Sequence, residues 1–188
     1  DHPGLFSRLA GAMAVCGATI LNARIHTFTH GMALDHFWIQ DLDGEAYADP
    51  DKLARLEKTV DLVLSGELKP LQELERRANT GLRDRREVFT VPPRVLIDNN
   101  GSSEFTIIEV NGRDRSGLLF ELTSAITRLG LQIRKSKIST FGEEVVDVFY
   151  VKDVFGMKVE HSNKLDQIRQ TLLGVLDDAG SQDQAVAD

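Results

Sequence analysis

From Leu118 onward, apolar residues recur at 118, 122, 125, 126 and 129. That is the three-and-four spacing that lays one stripe along a helix. Gly130 follows where helices commonly end on a left-handed residue. Just before the stripe, "EFTIIEV" (104–110) is short, apolar and β-branched, which predicts a strand. The turn-rich loop "GRDRSG" (112–117) joins the two. Beyond the helix, "LQIRKSKISTF" and "EVVDVFYVKDV" predict two strands turning near Gly142 as a hairpin. "SNKLDQIRQTLLGVLDD" then carries apolar residues at 165, 168, 172 and 176, a second helical stripe that Ser162 or Asn163 is placed to cap. The order is strand, helix, strand, strand, helix.

The first half of the chain repeats the pattern. At an offset of 113, Asp1, Gly4, Leu5, Leu9, Ala12 and Gly17 fall on Asp114, Gly117, Leu118, Leu122, Ala125 and Gly130. After a one-residue slip, Asp35, Phe37, Asp41 and Gly44 fall on Asp147, Phe149, Asp153 and Gly156. Such self-similarity marks a duplicated structural unit. In the first copy, "ATILNARIHTF" and "MALDHFWIQDL" read as the strand pair and "DPDKLARLEKTVDLVLSG" as the closing helix, with Asp49 as cap and Pro50 in the first turn. Each unit therefore reads as a ferredoxin-like βαββαβ sandwich, an α+β fold of antiparallel sheets with helices on one face. The expected division is a first module over 1–100 and a second over 101–188. The first lacks its opening strand, carries a linker at 67–93 and closes with "RVLIDNN" (94–100). The second lacks a closing strand, and its residues 179–188 form a polar tail.

Charge and composition narrow the possibilities. The chain has 188 residues and a formal net charge of −7. That balance argues against a general nucleic-acid binder, which needs a basic face for phosphates. No apolar run approaches the roughly 18 residues of a membrane span. Cys16 is the single cysteine, so no internal disulfide forms, and a reducing, cytoplasmic setting is expected. Arg76, Arg77, Arg83, Arg85 and Arg86 cluster in the linker, but Glu73, Glu75, Asp84 and Glu87 balance them. His2, His26, His30, His36 and His161 lack the spacing of a metal site, and no metal is expected in the chain. No glycine-rich nucleotide loop and no nucleophile elbow occurs.

The chemistry left is in the loops ahead of the first helices. A helix start exposes unpaired N–H groups and the positive end of the helix dipole, which favour a carboxylate. An aspartate in the same loop adds a partner for an ammonium group. The two together suit a zwitterionic amino acid, although D-x-x-G also serves simply to start a helix. The candidate ligand-binding residues are Asn111, Gly112, Arg113, Asp114, Arg115, Ser116, Gly117 and Leu118. Their counterparts are Asp1, His2, Pro3, Gly4 and Leu5. No residue is expected to be catalytic.

"NGRDRSGLLFELTSAITRLGLQI" and "DHPGLFSRLAGAMAVCGATI" resemble the D-R-P-G-L-L loop and first helix of ACT domains, regulatory modules that bind amino acids. With "FTVPPRVLIDNNGSSEFTIIEVNGRDRSGLL" and "ISTFGEEVVDVFYVKDVFGMKV", nearly the whole chain is similar to the C-terminal tandem ACT region of the bifunctional PII uridylyltransferase/uridylyl-removing enzymes. The resemblance implies a non-catalytic glutamine sensor. In this family it lies beside a nucleotidyltransferase domain and a metal-dependent phosphohydrolase domain, with Mg implied for those catalytic domains. Glutamine would bias uridylylation against uridylyl removal on the PII protein. Two alternatives stay open: a tandem ACT pair that only dimerises or docks the catalytic domains, and an ACT pair of another amino-acid-regulated protein. Ser116 departs from the family's proline, which the first copy keeps as Pro3, and His2 stands where the second copy has Arg115.

Overall fold

The protein is described by a computed structural model covering residues 4–27, 32–78, 92–141 and 144–184. Helix α1 (Leu5–Cys16) is followed by strands β1 (Thr19–Thr27) and β2 (Ala33–Gln40), then helices α2 (Pro50–Ser65) and α3 (Pro70–Ala78). Strands β3 (Arg94–Asp98) and β4 (Thr106–Arg113) lead into helix α4 (Leu118–Arg128). Strands β5 (Leu131–Lys137), β6 (Thr140–Phe141) and β7 (Glu144–Asp153) precede the last helix, α5 (Ser162–Gln184). Gly142, Arg83, Arg85 and Arg86, and the end of the tail at 185–188 lie outside the described residues.

Local chemistry accounts for the helix limits. The Asp49 carboxylate accepts from the N–H groups of Asp51 and Lys52 at 2.9 and 3.0 Å, and Pro50 opens α2 as the sequence predicts. Gly66 ends that helix in a left-handed conformation. The linker's leucine-bearing stretch therefore forms a separate helix, α3, rather than prolonging α2. At the C-terminus α5 runs on to Gln184, where a polar tail was expected from 179. Helical hydrogen bonding continues past the last buried leucine, Leu176, because no proline interrupts it.

Two antiparallel sheets form, one of β1 and β2, the other in the order β3-β4-β7-β5 with β6 also on β7. The second sheet corrects one expectation. Strand β3, read as the closing strand of the first module, pairs instead with β4, Val95 opposite Val110 and Ile97 opposite Ile108. It fills the edge position beside β4, which no later strand takes among the described residues. Its neighbourhood explains the choice. Val95 is buried in the second module's core and α5 packs against β3. The Asn99 amide donates to the Val159 carbonyl at 2.7 Å, and the Lys158 ammonium donates to the Asn99 and Ser102 carbonyls.

The helices line up as α2, α1, α4, α5, and β1 runs beside β5, so the two sheets meet edge to edge. One core spans both units: Phe6, Ala23 and Ile25 from the first join Ile108, Leu122 and Phe149 from the second. Each of the larger side chains contributes about 1.5–3 kcal/mol on burial. The two-residue alternation of a strand resolves the aromatic pairs. Phe149 is buried while Tyr150 turns to the open face of the sheet, meeting Phe105 edge-on at 6.2 Å. Likewise Phe37 stacks on Phe6 at 5.5 Å, whereas Trp38 is exposed under the Arg24 guanidinium.

The repeat extends to backbone irregularities. The β1–β2 ladder slips between Ile20 and Asn22, and the β5–β7 ladder slips between Ile133 and Lys135. An offset of 113 superposes these bulges, making Leu21 and Arg134 the extra residues of the two copies. A bulge re-aims the side chains beside it. Here both bulged strands, β1 and β5, are those that meet between the modules.

Candidate functional site

Both first helices start in the same way. Gly4 has φ 84° and Gly117 has φ 83°, in the left-handed region that suits glycine, and neither helix has a side-chain cap. Asp114 therefore does not cap α4. The Leu118 N–H is already bonded to the Arg115 carbonyl at 3.1 Å, so it is not an open donor. Leu118 itself is buried in the core.

Each loop lines a cavity completed by the other module. Gly4, Leu5 and Phe6 face Thr127, Leu131 and Ile133 across a space of about 170 Å³. Gly117, Leu119 and Phe120 face Ala14, Ala18 and Ile20 across one of about 110 Å³. The offset of 113 carries Gly4, Phe6 and Ser7 onto Gly117, Leu119 and Phe120, and Ala14, Ala18 and Ile20 onto Thr127, Leu131 and Ile133. The cavities are thus two versions of one junction, each formed by the glycine-opened helix start of one module against the end of the neighbour's first helix and the strand after it.

The expected residues divide in this frame. Asp114, Arg115, Ser116 and Gly117 line the second cavity; Gly4 and Leu5 line the first. Asp1, His2 and Pro3 lie outside the described residues. Asn111, Gly112, Arg113 and Leu118 do not line the cavity beside their loop. Gly112 has a packing role instead, since a Cβ there would lie 2.8 Å from the Leu176 Cδ2. Asn111 sits in β4 opposite Val146, and its buried Oδ1 has no hydrogen-bond partner among the described residues. The Arg115 guanidinium donates to both Glu121 carboxylate oxygens at 2.7 and 2.5 Å and to the Val175 carbonyl at 3.2 Å. This fork ties the loop to α4 and α5.

The carboxyls are tuned by burial. Desolvation raises Asp114 above the ordinary carboxylate range, opposed by the backbone N–H and guanidinium of Arg115. Asp147 on β7 is 1% exposed, and burial pushes its carboxyl up to about 7, with Asp114 adding to the rise. Its carboxylate accepts a hydrogen bond from the Ser139 N–H at 3.4 Å. Residue type and local spacing do not mark Asp147, Asp35, Gln132 or Arg134 as site residues. The repeat pairs Asp35 with Asp147, but nothing in local spacing indicates that the junction draws on strands of both units.

Two antiparallel sheets with helices across one face, duplicated and joined side by side, define the ACT class of regulatory module. Residues 101–177 match the ACR family N-terminal ACT domain. The chain is 60% identical over 179 residues to the "Bifunctional uridylyltransferase/uridylyl-removing enzyme" of Azospirillum brasilense, covering 95% of the chain and 19% of that protein. Proteins of the same name in Rhodospirillum rubrum and Gluconobacter oxydans are 53% and 49% identical over 92% and 95% of the chain, which covers 18% and 19% of their lengths. The chain belongs to the ACT region of this bifunctional enzyme family. It spans about a fifth of the length of the relatives it matches. Among the described residues, no helix is long and apolar enough to cross a membrane.

Proposed function

We propose that the chain senses glutamine at the junctions between its two ACT modules, and so sets the balance of uridylylation and uridylyl removal on the PII protein. The observation that carries this reading is the pair of repeat-related cavities, each open to a helix start of one module and walled by the other. The uncapped helix starts favour the ligand's carboxylate. A ligand shared by two modules binds one relative arrangement better than another, and that difference is what shifts an equilibrium. Allosteric coupling is typically about 1–3 kcal/mol, within the range of one or two charge-assisted hydrogen bonds.

The test is calorimetric titration of the full-length protein with glutamine, repeated with Gly4→Val and Gly117→Val. A valine at either position strains a left-handed residue and, at 117, crowds the Leu74 Cδ1 that stands 3.2 Å from a built Cβ. Weaker glutamine binding in one or both variants is expected. Wild-type affinity in both rejects the placement.

A further inference from the structure

The side of the two sheets turned away from the helices carries a band of cations and rings. By the two-residue alternation, Arg24 on β1, Trp38 on β2, Lys135 and Lys137 on β5, and Tyr150 and Lys152 on β7 point to that side. Because β1 runs beside β5, the band crosses both modules. Among the described residues, the carboxylate at an outward position on these four strands is that of Glu144, at the start of β7 opposite Arg113. Glu109 lies one strand further out, with Val148 between it and Lys137. A chain of net charge −7 thus gathers Arg24, Lys135, Lys137 and Lys152 on one face.

Rings rather than carboxylates hold these cations. The Lys135 and Lys152 ammonium groups each lie 5.1 Å from the centre of the Phe105 ring, which Tyr150 meets edge-on. The Arg24 guanidinium lies 5.5 Å from the centre of the Trp38 ring. A ring attracts a cation through its quadrupole but leaves the charge unneutralised. Neither lysine has a carboxylate partner among the described residues. On β2, Leu34 and Trp38 are 46% and 45% exposed and add apolar area to the band. Exposed apolar area rimmed by charge marks an interaction surface.

We propose that this open face docks an acidic, partly apolar surface of the same polypeptide that lies outside the 188 residues. Its carboxylates meet Lys135 and Lys152, and its apolar side chains cover Leu34 and Trp38. Charge complementarity selects an acidic occupant. Length selects its source: the relatives are about five times as long as this chain, and a tethered surface reaches a high effective concentration. A second copy fits less well, because a two-fold axis centred on the band sets its cations against their own copies. Nucleic acid fits less well because the net charge of −7 repels phosphates. Arg24 and Lys135 belong to different modules, so a surface seated over both spans the junction.

The experiment treats the full-length protein with a carbodiimide, which joins an amine and a carboxylate in contact as an amide, and locates the links by mass spectrometry. Lys52, 3.0 Å from Asp41, is the internal control. Mixing unlabelled and heavy-nitrogen protein separates links within one polypeptide from links between copies. Lys135 and Lys152 are expected to link to Asp or Glu outside the 188 residues of the same polypeptide. Those links are lost in about 1 M salt, where the screening length is about 3 Å. Arg24→Glu with Lys137→Glu keeps both linking amines and lowers the yield of their links several-fold, while the Lys52 link stays; thermal melts verify that the variant folds. Lys135 and Lys152 unlinked beside a linked Lys52 overturn the proposal, and so do links found only between copies. Unlinked lysines that single-stranded RNA shields from acetylation assign the face to nucleic acid and overturn it too.

Discussion

Asp147 makes the stability of this protein depend on pH in a direction opposite to most aspartates. Its carboxyl is 1% exposed, its acceptor bond from the Ser139 N–H is long at 3.4 Å, and burial raises it to about 7. In the unfolded chain it titrates near about 3.9. Between those values the folded protein holds a proton that the unfolded chain has lost, so stability falls as pH rises and levels off above about 7. Over the full window this amounts to about 1.36 × (7 − 3.9), or about 4 kcal/mol; from pH 5 to pH 8 it is about 2–3 kcal/mol. Asp147→Asn removes the titration and keeps an oxygen for Ser139. Urea unfolding of wild type and variant at both pH values isolates the residue, since other titrating groups are common to both. The variant's stability relative to wild type should rise by about 2–3 kcal/mol from pH 5 to pH 8. In thermal melts that is a gain of about 4–12 °C for a chain of this size. A difference that stays constant to within about 0.5 kcal/mol, the usual limit of additivity, refutes the account.

Two further substitutions probe the packing. In Gly11→Ala the intrinsic helix gain of about 1 kcal/mol is opposed by a Cβ 2.8 Å from Pro70 and 2.9 Å from Phe120. Overpacking costs about 1–3 kcal/mol, so a net loss of about 1–2 kcal/mol is expected by urea titration, and a stabilised variant would contradict the close approach of α1 to α3 and α4. In Thr106→Val, the buried hydroxyl that donates to Asn99 Oδ1 at 2.7 Å and accepts from the Val159 N–H at 2.9 Å is lost. Stranding that N–H should lower stability by about 1–3 kcal/mol, and neutral unfolding data would show that the β3–β4 connection does not rely on it.

The arrangement suggests why a duplicated module suits a sensor. Each cavity has one wall from each unit, so under the proposed sensing role a ligand there would link occupancy to relative placement without a separate transmitting element. Duplication also lets the two junctions diverge. The first carries a charged residue on its bulge and the second a leucine.

Local spacing was enough to read most elements. The stripe from Leu118 to Leu129, the hairpin strands, the Asp49–Pro50 start of α2 and the glycines opening both first helices follow from residue type and periodicity over a few positions, which act through neighbours along the chain. The duplication was legible for the same reason. What the sequence alone left open depended on contacts between distant segments. β3 reads as the closing strand of the first module, its local pattern being only three apolar residues between Arg94 and Asp98, and only the burial of Val95 against the second core decides its partner. Asp35 and Asp147 are equivalent by repeat, yet one lines a cavity and the other is sealed inside. Arg115 reads as a ligand group in the sequence, but Glu121 and the Val175 carbonyl hold its guanidinium. Strand pairing, burial and ion pairing are settled by how surfaces meet, and for a side-by-side pair of modules those surfaces exist only once both have folded.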